Sequence, residues 1–312
     1  MPIENRDLIQ KADIGLQELT DGGGALTPAN AKSFIRTAIT DSNFMKRCTV
    51  KPMAAQRERI SRLGMSQRVL RPGTPSTALP AGQRSKPDLG FAELDAKLFK
   101  GEVRIPDEVI EDNIESGNFQ NIVMQMIPEA VARDIDELLL QGDTTSADDY
   151  LAQLDGVLKQ ATAHPVDFNN ARMNFDDLSS MLRAIPKPYK RYRDKYEFLT
   201  SYNAEDDYRK LLDQRETVGG DASLQGNEPV RFRGVPIIPI GMMPDEQGGG
   251  GNQTSILLVN PKDIVVGFWR QIRVEVDRDK REGAVSFIVT LRLDVKLAIP
   301  DAIVTGSEVL NS

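Results

Sequence analysis

Cysteine and histidine are almost missing from this chain. Cys48 is its one thiol and His164 its one imidazole among 312 residues. A single cysteine excludes an intramolecular disulfide. The two residues together cannot build a Cys/His zinc site, and a Ser-His-Asp triad would have to use His164. That histidine stands in ATAHPVDF, ahead of a proline, where the backbone is expected to be extended or looped. No convergent partners accompany it, so it reads as a loop histidine. Long apolar runs are missing too: nothing approaches the roughly 18 consecutive apolar residues of a membrane span. The opening MPIENRDLIQ lacks the basic-then-apolar order of a secretory signal, so the chain reads as cytoplasmic with no membrane partner. Phosphate-cradling and nucleophile motifs are absent: there is no GxxxxGKS/T, no GxGxxG between a strand and a helix, no GxSxG and no EF-hand spacing. GGGG at 248–251 has no helix after it and reads as a tether. No cofactor, metal or catalytic residue is expected, and the chain reads as a non-enzyme.

What is present is a polar, folded protein. Apolar residues make up 40% and charged residues 27%, in a length that suits one large domain or two ordinary ones. Lys plus Arg total 39 against 46 Asp plus Glu, a net charge of −7. That sign argues against a protein dedicated to coating nucleic acid, while leaving room for a basic patch on one face.

Along the chain, residues 1–24 are polar and end in DGGG, which reads as a flexible N-terminal arm. Thr27 and Pro28 then open a predicted helix that reaches about Cys48. Residues 50–105 combine two extended segments, VKPMAAQRERISRLG and LGFAELDAKLFKGEVRI, around a Pro/Gly/Ser-rich stretch with few large apolar residues. A compact domain seldom carries so long a loop without purpose, and the pattern predicts a two-stranded finger. IPDEVIEDNIESGN predicts a short helix and turn. The next segment, FQNIVMQMIPEAVARDIDELLLQGD, sets Phe119, Ile122, Val123, Met126, Ile127, Ala130, Val131, Ile135, Leu138 and Leu139 at helical spacing. A helix over 118–140 would be about 33 Å long. Pro128 should kink or divide it, and Gly142 should end it in a left-handed conformation.

That helix poses the chain's main chemical question, because Asp134, Asp136 and Glu137 crowd it. They fill the gaps between apolar positions with no histidine or cysteine nearby, so they read as the solvated face of a packed helix rather than paired catalytic carboxylates. A hydrolase built on Asp134, Glu137 or Asp206 is the competing enzyme reading, and composition alone supports it.

Further on, Asn174 should cap a helix through FDDLSSMLRAIP, with Phe175, Leu178, Leu182 and Ile185 as its apolar stripe. YEFLTS reads as a strand and Asn203 as the cap of a following helix. TVGGDASLQGNEP reads as a loop. VRFRGVPIIPI reads as a strand pair or bent strand at a sheet edge, given its prolines. ILLVNPKDIVVGFWRQIRVEV should supply three short strands. The last segment, AVSFIVTLRLDVKLAI, alternates with period two from Val285 to Ile299 and predicts one strand about 50 Å long. Such a helix and such a strand imply a flat, elongated molecule. One charge feature stands apart: Arg57, Arg59, Arg62, Arg68 and Arg71 crowd the first half of the finger, with Glu58 among them. Arginine suits bidentate carboxylate pairing, and stacking aromatics are lacking, so this reads as a docking strip for acidic surface on a neighbouring subunit. A merely solvated surface and a phosphate contact are the alternatives.

The order of parts, from GGGALTP through AKLFKGEVRIPDEVIEDN, the helix closing in LLLQGD, FDDLSSMLRAIP, YEFLTS, RFRGVPIIPI and NPKDIVVGF to the final long strand, resembles the major capsid proteins of tailed bacteriophages. The resemblance covers about residues 20–305 and implies an α+β chain of the Hong Kong 97-type capsid fold. It implies an N-terminal arm and first helix at 1–49, an extended β-hairpin loop at 50–105, and a peripheral domain at 106–154 and 271–312. That domain would hold the spine helix 118–140 and the long C-terminal strand, and 155–270 would form an axial domain. The implied function is that of a structural subunit, self-assembling into hexamers and pentamers of an icosahedral shell around double-stranded DNA. Its implied partners are itself, a portal, a separate scaffold, a decoration protein, and packaged DNA touched non-specifically on the inner face. Its implied place is the virion, after assembly in the host cytoplasm. An encapsulin-like compartment shell is the alternative. Some relatives crosslink a lysine of the extended loop to an asparagine, but nothing identifies that partner for Lys86 or Lys97.

Overall fold

The computed structural model describes residues 42–64, 70, 72, 78–80, 84, 88–106, 119–214, 229–248, 250–269, 273–279 and 282–311. The arm at 1–24, most of the helix predicted from Thr27, the finger's tip, the short helix after Pro106 and the loop at 217–228 lie outside them. In chain order the elements are β1 (Thr49–Met53), β2 (Arg57–Gly64), β3 (Asp88–Asp95), β4 (Lys97–Pro106), α1 (Phe119–Gln141), α2 (Val157–Gln160), β5 (Pro165–Asp167), α3 (Phe175–Ala184), α4 (Lys187–Lys190), β6 (Glu197–Thr200), α5 (Tyr202–Asp213), β7 (Arg231–Phe232), β8 (Val235–Pro239), β9 (Gln253–Val259), β10 (Ile264–Trp269), β11 (Arg273–Asp279), β12 (Ala284–Leu297) and β13 (Val304–Leu310). The protein is a mixed α+β chain.

The period-two segment forms β12, 14 residues long against a usual five or six. Its odd positions from Val285 to Leu297 are buried, as alternation requires. Residues 284–290 pair with both β4 and β11, so those two strands flank β12 on opposite edges. β10 pairs with 293–297, and β1 adds to β10 in parallel. Asp294 alone breaks the polar alternation: it is buried, and its carboxylate accepts from the N–H of Asp95 at 2.7 Å and of Val295 at 2.8 Å. Burial raises its pKa and those two bonds oppose the rise.

The second sheet runs β5-β13-β9-β6-β8-β7. Its central strands are apolar on both faces, which is why ILLV and PIIPI read as continuous runs. Leu199, Ile238, Leu257 and Val259 face one core, shared with α1, β10 and β12. Phe198, Ile237, Ile256 and Leu258 face a second core, closed by α3 and α5. β10 therefore belongs to the sheet of β12, and β13, near the C-terminal end, returns to the six-stranded sheet. Asn174 caps α3 as its sequence predicts, accepting from the N–H groups of Asp176 and Asp177. Helix α5 is instead capped by Ser201, which accepts from Ala204 N–H and so starts the helix before Asn203. β7 and β8 form a hairpin through Arg233 and Gly234, both at positive φ, and β7 rather than the proline-bearing β8 is the edge. Gly248, Gly250 and Gly251 do not form the tether expected of them. Gln247 and Gln253 exchange backbone bonds of 2.8 and 3.1 Å around them, and Gly248 and Gly251 supply the positive φ that this closed turn needs.

Helix α1 runs unbroken through Pro128. Ile127, Ala132, Ile135, Leu138, Leu139 and Leu140 are buried, whereas Met126 is 61% exposed. Gly142 ends the helix for a reason other than a left-handed turn. It is not among the positive-φ glycines, and a Cβ there would lie 2.6 Å from the Leu154 carbonyl and 2.7 Å from that of Leu138. Gly156 N–H donates to the Gly142 carbonyl at 2.7 Å, so two backbones cross where only hydrogens fit. Asp136 departs from the solvated face expected of it. It is 6% exposed and accepts from Ser42 Oγ at 2.6 Å. Burial pushes its pKa up to about 6, against the pull of that hydroxyl and of the Phe44 and Met45 N–H groups. This carboxyl ties the turn at 43–47, with its buried Phe44 and Met45, to the side of α1.

Candidate assembly interface

β2 and β3 pair with each other and with no other described strand, in register from Arg57↔Asp95 to Gly64↔Asp88. The finger is shorter than its predicted span, because β1 and β4 belong to the sheet of β12. Its faces differ. Ile60 packs on the small cluster of Met53, Leu94 and Ala96, and Arg62 Nη1 donates to the Ala298 carbonyl at 3.5 Å. The close approach is visible at Gly267, where an added Cβ would lie 2.6 Å from Leu94 and 2.7 Å from Met53. The other face carries Arg57, Arg59, Ser61, Phe91 and Glu93, all exposed. Phe91 is 65% exposed, with the Arg59 guanidinium 5.0 Å from its ring centre. At the finger's root, Asp294 holds the backbone of Asp95 and Ala96 N–H donates to the Gln56 carbonyl.

The finger's charges are largely self-matched. Arg57 pairs with Asp95 at 3.3 Å, Arg59 lies 3.9 Å from Glu93, and Lys51 holds Glu58 at 2.5 Å. Bonds from Lys51 and then the Ala54 N–H lower the Glu58 pKa, and Lys97 followed by Arg57 lower that of Asp95. Of the five arginines singled out in the sequence, the structure thus brings Arg57 and Arg59 to one outward face and turns Arg62 to the body. Arg68 and Arg71 lie outside the described residues. The sequence reading named the second strand as extended but missed the acids it sets against the arginines. In DLGFAELD, Glu93 and Asp95 are two apart, as Arg57 and Arg59 are, and an antiparallel register sets such pairs opposite each other.

Next to the finger, β4 pairs with β12 on one edge and with no described strand on the other. Leu98 and Val103 on it are 45% and 43% exposed. Between β4 and α1 runs a groove of about 240 Å³, walled by Phe99, Val103, Ala130, Val131 and Tyr150. An outward aromatic and cations, a strand edge that no described strand pairs and an apolar groove together form a surface suited to protein contact. The carboxylates of the enzyme reading do not converge: Asp134 and Asp206 are exposed, Glu137 is half-buried, and Asp136 is engaged with Ser42. His164 lies 3.2 Å from the Asp301 carbonyl in the loop before β5. No helix among the described residues is long and apolar enough to cross a membrane.

Comparison with known proteins identifies the family and the fold. The Phage capsid family matches residues 22–307. YqbE of Bacillus subtilis (strain 168), named as a prophage capsid protein, is 36% identical over 305 residues, which span 96% of this chain and 97% of that one. Among solved structures, the satellite phage P4 procapsid with its size determination protein covers 98% of both chains at a TM-score of 0.69 and 12% identity. The holo-SrpI encapsulin complex of Synechococcus elongatus PCC 7942 covers 99% of this chain and 97% of its own at a TM-score of 0.55 and 15% identity. The fold is therefore one that phage shells and an encapsulin share, and at the level of sequence the chain belongs to the phage capsid family.

Proposed function

We propose that this protein is the major capsid subunit of a tailed bacteriophage or prophage, forming the hexamers and pentamers of an icosahedral shell around double-stranded DNA. The match of family and relative along nearly the whole chain carries this reading. The geometry supplies its means. The finger's outer face, the free edge of β4 and the groove beside α1 meet sister copies, each contact modest and their sum large. Head-to-tail contacts of this kind close into rings, and rings into a shell. Arg57 and Arg59 serve as docking charges that exchange Asp95 and Glu93 for a neighbour's carboxylates, and Arg62, Arg68 and Arg71 continue the strip.

In this reading residues 1–49 form the N-arm and first helix, the finger within 50–105 is the extended loop, and α1 is the spine helix. The sheet of β12 is the core of the peripheral domain and the six-stranded sheet that of the axial domain. β10 goes with the former and β13 with the latter, which redraws the boundaries set from sequence at 155–270 and 271–312. A portal, a separate scaffold and a decoration protein complete the particle, which assembles in the host cytoplasm. An encapsulin-like compartment shares the fold, but the 36% identical relative favours the phage shell. Electron microscopy and sedimentation of the protein co-expressed with its neighbouring phage genes test the proposal. Closed shells or capsomers are expected, and a chain that stays monomeric in every condition overturns it.

A further inference from the structure

The described residues carry a basic surface that the assembly reading does not use. Between α3 and β6 the sequence runs KPYKRYRDK, from Lys187 to Lys195: five cations and one acid, Asp194, in nine residues of a chain whose sum is −7. Lys187, Lys190, Arg191 and Lys195 are exposed, and Arg193 is half-buried. None of the five forms an ion pair among the described residues. Their bonds go to neutral acceptors instead. Lys190 Nζ donates to the Arg183 carbonyl at 2.8 Å, and Arg193 Nη2 to the Arg233 carbonyl at 2.8 Å. These bonds fold the segment onto the end of α3 and the β7–β8 turn, and they bring the exposed Arg233 beside it without neutralising any charge. At the centre Tyr192, 43% exposed, has the Arg191 guanidinium 4.7 Å and the Lys195 ammonium 5.3 Å from its ring centre. Lys195 also lines a recess with Lys262, Arg47 and Glu197, where Arg47 and Glu197 pair at 2.9 Å, so of that recess only Lys262 adds positive charge beside the segment.

We infer that this patch is a phosphate-backbone contact site for nucleic acid. At physiological salt charges beyond about 8 Å are screened, so a phosphate here meets the cluster and not the chain's negative sum. Protein–protein interfaces are depleted in lysine and built around apolar anchors, whereas nucleic-acid interfaces are rich in positive charge. Lysine supplies three of the five cations, and Tyr192 is the one large exposed ring of the segment. Lys187 and Lys190 lie on the single turn of α4 and the other three cations follow it, a largely exposed row that suits sequence-independent contact with successive phosphates. The inference rests on the shell reading for its biological partner, namely packaged DNA, but its chemistry can be tested apart from that reading.

The experiment uses the full chain and a short random-sequence DNA duplex, with binding read by fluorescence anisotropy over a salt series. The variant Lys190→Gln/Arg191→Gln/Lys195→Gln should lose at least about tenfold in affinity at low salt. Its log–log salt slope should become shallower by about 3, since each phosphate contact contributes about 0.9. A control of equal charge change, Arg133→Gln/Lys210→Gln/Arg273→Gln, should keep the wild-type slope, and thermal melting should show both variants folded. An unchanged slope in the first variant overturns the inference, as does a poly-glutamate peptide binding wild type as tightly as the duplex does, which would assign the patch to an acidic protein. Shells from the first variant are scored by electron microscopy in parallel. Shells with undiminished DNA binding would remove the patch and leave the capsid reading standing. Absence of shells from wild type and variant alike would remove the capsid reading, whatever the anisotropy shows.

Discussion

The six-stranded sheet and the β2–β3 finger solve the same problem, burial of a strand's two faces, in opposite ways. The sheet completes itself: Leu258 and Leu257, adjacent in sequence, are both fully buried, one in each core. The finger completes one face only. Leu94 is fully buried beneath it, while Phe91, three residues away in the same strand, stands 65% in solvent. A strand finished on both sides contributes to the stability of the single chain. One left half open can contribute its second side only to an association.

Several experiments bear on that contrast. The largest effect belongs to the closed sheet. Leu258→Ala should cost about 2 to 5 kcal/mol, read as a lowered denaturant midpoint, because the cavity lies among fixed neighbours. A loss no greater than a surface substitution gives would mean that the sheet is looser than its burial implies. The next effect is electrostatic, at the seam between α1 and the turn at 43–47. The Asp136 carboxyl, at about 6 in the fold against 3.8 for the free group, holds a proton between those values that the unfolded chain has released. Its contribution to stability is therefore full below about pH 4, declines as pH rises to about 6 and stays at the lower level above, a change on the order of 2 to 3 kcal/mol. Asp136→Asn should remove this slope from a plot of unfolding free energy against pH, and a slope that survives would assign it to another group. A third effect lies where α1 ends. Gly142→Ala presses a methyl against two carbonyls and should destabilise by about 1 to 3 kcal/mol, visible in thermal melting. The smallest effect on stability belongs to the open face. Phe91→Ser with Arg59→Gln should change folding stability by no more than about 0.5 kcal/mol. The same pair should cut the yield of assembled particles on sedimentation, and equal losses of stability and assembly would show that the face serves the fold after all.

Much of the fold was legible because periodicity is a direct image of burial. The alternation read from Val285 to Ile299 gave β12, which ends two residues sooner at Leu297, and the three-four spacing gave α1 and α3. Where the reading failed, the cause was long-range. Asp136 looked solvated because a helix wheel cannot show that Ser42, 94 residues away, supplies its partner. Gly142 looked like a left-handed cap because the strand of backbone at Leu154–Gly156 that crosses it is invisible locally. Sheet membership of β10 and β13 was not legible for the same reason: a strand's period fixes its faces and says nothing about its neighbours. Of the candidate interface, the charge of Arg57 and Arg59 was legible, whereas the inward turn of Arg62 and the partners of the other two were not. Charge is local in sequence, but the register that set Asp95 and Glu93 opposite them belongs to the folded hairpin.

The pairing of β4 along ten residues of β12 also has a mechanical meaning. β4 continues directly from the finger, so tension applied at the finger's tip enters the body along the strand axis. It loads the whole ladder in shear instead of peeling it bond by bond, and Asp294, gripping the backbone at Asp95, stands where that tension first arrives. The finger is thereby anchored as a strap is sewn, along a seam, and any load drawn through it would meet the resistance of the entire central strand.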